Sequence, residues 1–324
     1  MKIIRHFDTV APDLKGACFA LGNFDGVHRG HCAVIREAAT AARSRSVPLG
    51  VLVFEPHPRR YFKPDEPFFQ LTPFRVRTHL LKQLGVDILA ALPFDHSMAT
   101  RSAESFVCDV LSNGLGASHA AVGYDFAFGQ GRDGDSAALE KLGKQYGFSV
   151  SVCKPVSVNG MAYSSTRIRV ALQEGRPEEA ARLLGRWWRI EGRVIKGDQR
   201  GRTLGFPTAN VSLEGYVEPA HGVYAVQVDI MDGPHKGRQV GVANLGRRPT
   251  FNKDQTMLEV HLFDWDADIY GAHLSVAFAG LLRPERKFDG LESLKAQIAE
   301  DSIKARALMG GMADEETLFG AFDL

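Results

Sequence analysis

The sequence predicts two domains: an α/β domain built on a parallel sheet, then an all-β domain of antiparallel strands. From about residue 17 to 184, apolar runs alternate with helical patterns. From about residue 187 the helical patterns stop, and short strands follow one another at hairpin spacing. At 324 residues the chain is long enough for two separate cores.

Each element has its own signal. ACFALG (17–22) reads as a buried strand, and HCAVIREAATAARS (31–44) as an alanine-rich helix. GVLVFEP (50–56) is a second strand, and FRVRTHLLKQLG (74–85) a helix closed by glycine. VDILAAL (86–92), SHAAVG (118–123) and GFSVSVC (147–153) add strands, and DSAALEKLGKQYG (135–147) adds a helix. Strand, helix, strand in succession argues for a parallel sheet with helices on its faces. PEEAARLLG ends on Gly185, which suits a helix C-cap and divides the chain into domains 1–184 and 185–324. Beyond it, RWWRIEGRVI, GVYAVQVDI, RQVGVANLG, MLEVHLFD and HLSVAFAGLL are strands of an antiparallel barrel or sandwich. A helix over 288–309 closes the pattern.

Composition narrows the function. With 44% hydrophobic and 24% charged residues, the chain is an ordinary globular one. A net charge of +1 supplies no field for a nucleic-acid backbone, so no nucleic-acid partner is expected. Cys18, Cys32, Cys108 and Cys153 are scattered without CxxC spacing, which argues against a zinc knuckle or a disulfide framework. Reduced cysteines point to the cytoplasm. MKIIRHFDTVAPDLKG is not a secretory signal. No apolar run reaches the roughly 18 residues of a membrane span, so no membrane partner is expected.

Five stretches are candidates for chemistry. LGNFDGVHRGH (21–31) lies at the carboxyl end of the first strand, where parallel α/β sheets bind ligands. Gly22, Gly26 and Gly30 let backbone approach a ligand, and the following helix presents free N–H groups, which together make a phosphate site. His28 and His31 share one side of the helix start and can stabilise charge on phosphoryl oxygens. Metal chelation is the other reading of His-x-x-His, but no third ligand stands at a telling spacing. SSTRIR (164–169) opens a second helix: Ser164, Ser165 and Thr166 offer hydroxyls and N–H groups, and Arg169 a forked positive donor. In GRTLGFPTAN (201–210), Thr208 and Asn210 share a face of an extended segment and are hard oxygen ligands suited to Mg²⁺. Gly201 and Gly205 let backbone reach phosphates there. On the strand MLEVHLFD, Glu259 and His261 face away from Leu258 and Val260. The loop VGYDFAFGQGRDGD (122–135) reads either as turn chemistry or as a surface for a flat ring.

His-x-G-His after a strand resembles the nucleotidylyltransferase superfamily. The fuller GNFDGVHRGH is similar to one branch, the bacterial bifunctional riboflavin kinase/FMN adenylyltransferases, also called FAD synthetases. SSTRIR matches all five fixed residues of that family's S-S-T-x-I-R, and GRTLGFPTAN resembles its kinase signature G-x-x-L-G-F-P-T-A-N. FEPHP (54–58), GVANLGRRPTF (241–251) and LLRPERKFDGLESL (281–294) also resemble family strings, whereas Ala127 stands where members often carry a polar residue.

The resemblance implies a nucleotidylyltransferase-like, Rossmann-like parallel sheet followed by an antiparallel riboflavin-kinase-like β-barrel. It implies phosphorylation of riboflavin to FMN, then adenylylation of FMN to FAD, with ATP as co-substrate and Mg²⁺ as cofactor. On these positions, His28 and His31 stabilise charge, and Gly22, Phe24 and Gly30 border the nucleotide. Ser164, Ser165, Thr166 and Arg169 hold the leaving pyrophosphate, while Gly201 and Gly205 approach phosphates of the kinase ATP. Thr208 and Asn210 hold Mg²⁺, Glu259 is the base, and Asp125 and Phe128 border the flavin. The implied partners are small molecules: riboflavin, FMN, FAD and ATP. Oligomeric state is not legible in the sequence.

Overall fold

The computed structural model describes residues 1–66, 69–158, 161–196, 206–250, 253–311 and 324. Among the described residues the chain forms two compact units. The first is made mainly of Met1–Phe68 and Thr72–Ser164, and the second of Phe69–Leu71 and Ser165–Ala321.

The first unit runs β1 (Lys2–Ile4), β2 (Cys18–Leu21), α1 (Arg29–Arg45), β3 (Leu49–Phe54), α2 (Pro58–Phe62), α3 (Phe74–Gln83) and β4 (Ile88–Leu92). Then come α4 (His96–Ala99), α5 (Ala103–Ser105), a π-helix (Phe106–Gly114), β5 (His119–Gly123) and the hairpin β6–β7 (Ala127–Phe128, Gly134–Asp135). α6 (Ser136–Tyr146), β8 (Ser149–Cys153) and the hairpin β9–β10 (Ser157–Val158, Met161–Ala162) complete it.

Its sheet has the order β1-β4-β3-β2-β5-β8 with every neighbouring pair parallel. Helices cover both faces, which is why the strands read as continuous apolar runs. In β2, Phe19 and Leu21 pack with Val107 and Val110 of the π-helix and Leu139 of α6. Cys18 and Ala20 face the other way, toward Ile35 and Ala38 of α1 and Leu81 of α3. The chain winds from β2 to β3 and β4 on one side, while β5 and β8 lie on the other. That reversal opens a crevice at the carboxyl ends of β2 and β5. The sequence reading missed β1, α4, α5 and the π-helix. The first three are only three or four residues each, too short to show a period.

The second unit runs α7 (Ser165–Gln173), α8 (Pro177–Leu184), β11 (Arg189–Arg193), β12 (Ala209–Ser212), β13 (Gly222–Ile230), β14 (Gly237–Thr250), β15 (Lys253–Leu262), β16 (His273–Pro284) and α9 (Leu291–Gly310). Its strands are ordered β11-β16-β13-β14-β15-β12, all antiparallel. A bridge between Ile195 and Asn210 draws the two edges together, so the sheet closes on itself as a barrel rather than splitting into a sandwich. α8 ends on Gly185 in the left-handed conformation, at φ 79°. Ala181 of α8 packs with Trp187, Ala277 and Ala279, and Ala305 of α9 packs with Val223, Ala225 and Val242. The change of sequence pattern falls after Leu184, but the compact units part between Ser164 and Ser165, because α8 buries its apolar side on β16.

Candidate active sites

β2 ends at Leu21, and the loop to α1 starts in the crevice. His28 is the N-cap of α1 in extended backbone, and its Nδ1 accepts the His31 N–H at 3.2 Å. That bond settles the tautomer: in the neutral ring the proton sits on Nε2, so the far end of His28 is a donor. The His28 and His31 rings stack at 3.6 Å and 15°. Phe24 meets the His31 ring edge-on at 5.2 Å and is buried. A Cβ on Gly30 would stand 3.1 Å from Cε1 and 3.2 Å from Nδ1 of His28, so glycine here admits the ring over the helix start. A Cβ on Gly22 would stand 3.3 Å from the Phe24 ring. The structure thus brings Gly22, Phe24, His28, Gly30 and His31 together at one helix N-terminus, where the dipole and the first N–H groups favour an anion.

Ser164 is the last residue of the first unit, and Ser165, Thr166 and Arg169 lie on α7 in the second. Thr166 is exposed, and Ser165 and Arg169 are half-buried. Asp125 is exposed just beyond β5, and Ala127 is half-buried. Phe128 is buried against Phe106 at 5.6 Å and Phe126 at 5.4 Å.

Sequence reasoning missed the aromatic residues that continue from there. Phe54 meets Phe106 at 6.2 Å and Phe94 at 5.1 Å, and Phe94 meets both Tyr61 and Phe62 at 5.7 Å. Phe54 and Phe94 belong to the carboxyl ends of β3 and β4, the same sheet edge as the histidine loop. Tyr61 and Phe62 are exposed. The available signal was two adjacent aromatics, Tyr61 and Phe62, separated from FEPHP by only two residues.

In the barrel, the described part of GRTLGFPTAN begins at Phe206, so Gly201 and Gly205 lie outside the described residues. Thr208 is half-buried just before β12. Asn210 is 4% exposed, and its Oδ1 has no hydrogen-bond partner among the described residues. Across the β12–β15 ladder Asn210 stands opposite Glu259, and across β14–β15 Asn244 stands opposite Glu259. Directly opposite residues share a face, so Asn210, Glu259 and Asn244 lie in a row on one face of three adjacent strands. Asn244 was not singled out from the sequence, because GVANLG does not reveal its register with β15. His261 Nδ1 and the Pro207 carbonyl are 2.9 Å apart, which ties the approach to β12 onto β15. A cavity of about 480 Å³ opens beside Thr208, lined also by Val194, Leu262, Trp265, Ile269 and Tyr270.

The Asn210 amide oxygen, buried without a partner among the described residues, and the Thr208 hydroxyl two residues before it are hard oxygen donors, so these residues fit Mg²⁺. Among the described residues, no three His, Cys, Asp or Glu side chains converge as a metal cluster. The four cysteines are free thiols. No helix of the described residues is long and apolar enough to cross a membrane.

The fold defines a nucleotidyltransferase-like α/β unit joined to a kinase-like barrel. Residues 10–167 match the FAD synthetase family model, and residues 184–309 the riboflavin kinase model. The bifunctional riboflavin kinase/FMN adenylyltransferase of Escherichia coli (strain K12) is 42% identical over 312 residues, covering 96% of this chain and 98% of that protein. The bifunctional riboflavin kinase/FMN adenylyltransferase of Haemophilus influenzae (strain ATCC 51907 / DSM 11121 / KW20 / Rd) is 39% identical over 307 residues, covering 95% and 99%. A crystal structure described as a macrolide-efflux protein from Streptococcus pneumoniae superposes with a TM-score of 0.84 at 30% identity, covering 96% of this chain and 99% of that one. The chain belongs to the bifunctional riboflavin kinase/FMN adenylyltransferase family, and it carries both catalytic domains of that family.

Proposed function

We propose that the barrel converts riboflavin and ATP to FMN and ADP, and that the α/β domain converts FMN and a second ATP to FAD and pyrophosphate. The functional division is 1–184 for adenylylation and 185–324 for the kinase, supported by the two family matches. At the barrel, Glu259 takes the proton from the 5′-hydroxyl of riboflavin as that oxygen attacks the γ-phosphorus of ATP. The bond from the γ-phosphorus to the bridging oxygen breaks, and ADP leaves. Thr208 and Asn210 would hold Mg²⁺, which when bound offsets charge on the ATP phosphates. Asn210 Oδ1, buried without a hydrogen-bond partner among the described residues, is the observation that carries this half. The cavity lined by Trp265 and Tyr270 suits a purine base.

At the α/β domain, an oxygen of the FMN phosphate attacks the α-phosphorus of ATP, and pyrophosphate leaves. His28, donating from Nε2, and His31 stabilise charge on the phosphoryl oxygens, while Gly22, Phe24 and Gly30 shape the loop around them. No protein nucleophile is needed, since positioning and charge stabilisation carry phosphoryl transfer. The stacked imidazoles at the start of α1 carry this half. The family motif gives Ser164, Ser165, Thr166 and Arg169 the pyrophosphate, and Gly201 and Gly205 the phosphates of the kinase ATP. Tyr61, Phe62 and Phe94 make an apolar, flat-sided surface suited to the flavin ring, with Asp125 and Phe128 nearby in the chain's β5–β6 segment. The partners are small molecules, and free cysteines fit a cytoplasmic enzyme.

Separation of function tests the reading. His28→Ala is expected to lower FAD formation from FMN by roughly 10²–10³-fold and to leave FMN formation from riboflavin intact. Asn210→Ala is expected to do the reverse. Loss of both activities from either substitution in a folded protein would refute separate sites.

A further inference from the structure

The loop that presents His28 is held in a costly conformation. Phe24 has φ 51° and Val27 φ 42°, both in the left-handed region without being glycine. Such backbone is strained and persists only where its surroundings over-determine it. The surroundings come from one short segment at the start of α3. The backbone N–H of Thr72 donates to Asp25 Oδ1 at 2.9 Å, and the Gly26 N–H donates to Thr72 Oγ1 at 2.8 Å. One turn into α3, Arg77 is 1% exposed. Its Nη1 donates to the Asn23 carbonyl at 2.9 Å, and its Nη2 donates to Glu55 Oε2 at 2.6 Å.

We infer that Arg77 is a positioning residue for adenylyl transfer: it fixes the backbone at Asn23 and so sets the register of the loop that carries His28. Glu55 holds the guanidinium in place and supplies the charge that lets it stay buried. An unpaired buried cation would be strongly disfavoured. Burial pushes the Arg77 pKa down, and the carboxylates of Glu55 and Asp25 oppose that shift. This gives FEPHP a purpose that flavin or phosphate contacts do not supply: its glutamate anchors the phosphate loop through Arg77. A guanidinium is needed because one planar group must donate in two directions at once, which a lysine ammonium on a flexible stem does less rigidly.

The inference rests on reading Gly22–His31 as the adenylyl-transfer site. The test measures FMN-to-FAD kinetics of Arg77→Met, Arg77→Lys and Glu55→Gln, with riboflavin-to-FMN rates in the same samples. Displacing a reacting group by about 1 Å costs up to about 100-fold. Arg77→Met is therefore expected to lower kcat for FAD formation by roughly 10–100-fold, with KM for FMN and the kinase rate little changed. Arg77→Lys is expected to recover part of the lost kcat, and Glu55→Gln to fall between Arg77→Met and the unaltered protein. Unchanged kcat in folded Arg77→Met overturns the inference, as does a kinase rate that falls in step with it. If Arg77→Met does not fold, unchanged kcat in Glu55→Gln overturns it instead. An unaltered protein that makes FMN but no FAD would refute the underlying site reading rather than this one.

Discussion

Gly30 shows how much a single position can carry. Its missing Cβ leaves the space that the His28 ring fills, with Tyr163 Cβ closing the other side at 3.3 Å from where a methyl would stand. Gly30→Ala would press on the ring at 3.1 Å and tilt it from its stack on His31. Initial-rate assays are expected to show FAD formation lowered by about tenfold or more, as misplacement of a catalytic group predicts, with FMN formation unchanged. Equal loss of both would contradict this. At this scale the sequence was informative about identity and silent about cause. The glycine and histidine spacing in LGNFDGVHRGH pointed to a phosphate loop. That Arg77 and Thr72, about fifty residues on, would hold that loop depended on tertiary packing that no local pattern reveals. Glu259 could be singled out from its strand, but its neighbour Asn244 needed the β14–β15 register.

Among the elements, the pairing of β5 with β8 makes a specific prediction. His119 opens β5 and is buried, with Nδ1 2.8 Å from Ser149 Oγ and Nε2 3.1 Å from Ser151 Oγ, both on β8. Burial, aided by the positive charge of Arg45, pushes its pKa from the ordinary 6.5 down to about 4. Between those values the unfolded chain binds a proton at this site and the folded chain does not, so stability falls as pH drops from 6.5 toward 4. Calorimetry of the protein and of His119→Asn across that window isolates the contribution. The unaltered protein is expected to lose stability more steeply on acidification, and parallel curves would contradict the assignment. The strands were legible because both faces of the parallel sheet are buried, so the apolar runs are continuous. The π-helix Phe106–Gly114 was not, since its spacing departs from the helical period sought in sequence. The barrel and the sandwich looked alike until the Ile195–Asn210 bridge showed closure.

For the whole molecule, the two units divide a two-step synthesis. The product of the barrel carries the phosphate that serves as nucleophile in the α/β unit. No electron transfer is involved, and each step consumes its own ATP, releasing ADP in the first and pyrophosphate in the second. Domain order was readable from the switch between α/β alternation and hairpin spacing, but the compact division at Ser164/Ser165 was not, because α8 carries its apolar side to β16 after the α/β pattern has run its course. The most direct measurement is a chromatographic time course with riboflavin, ATP and Mg²⁺, following flavins, ADP and pyrophosphate together. The account predicts FMN with ADP first, then FAD with pyrophosphate, from the one chain. Flavin that binds but is never phosphorylated, or FMN that accumulates without any FAD, would contradict it.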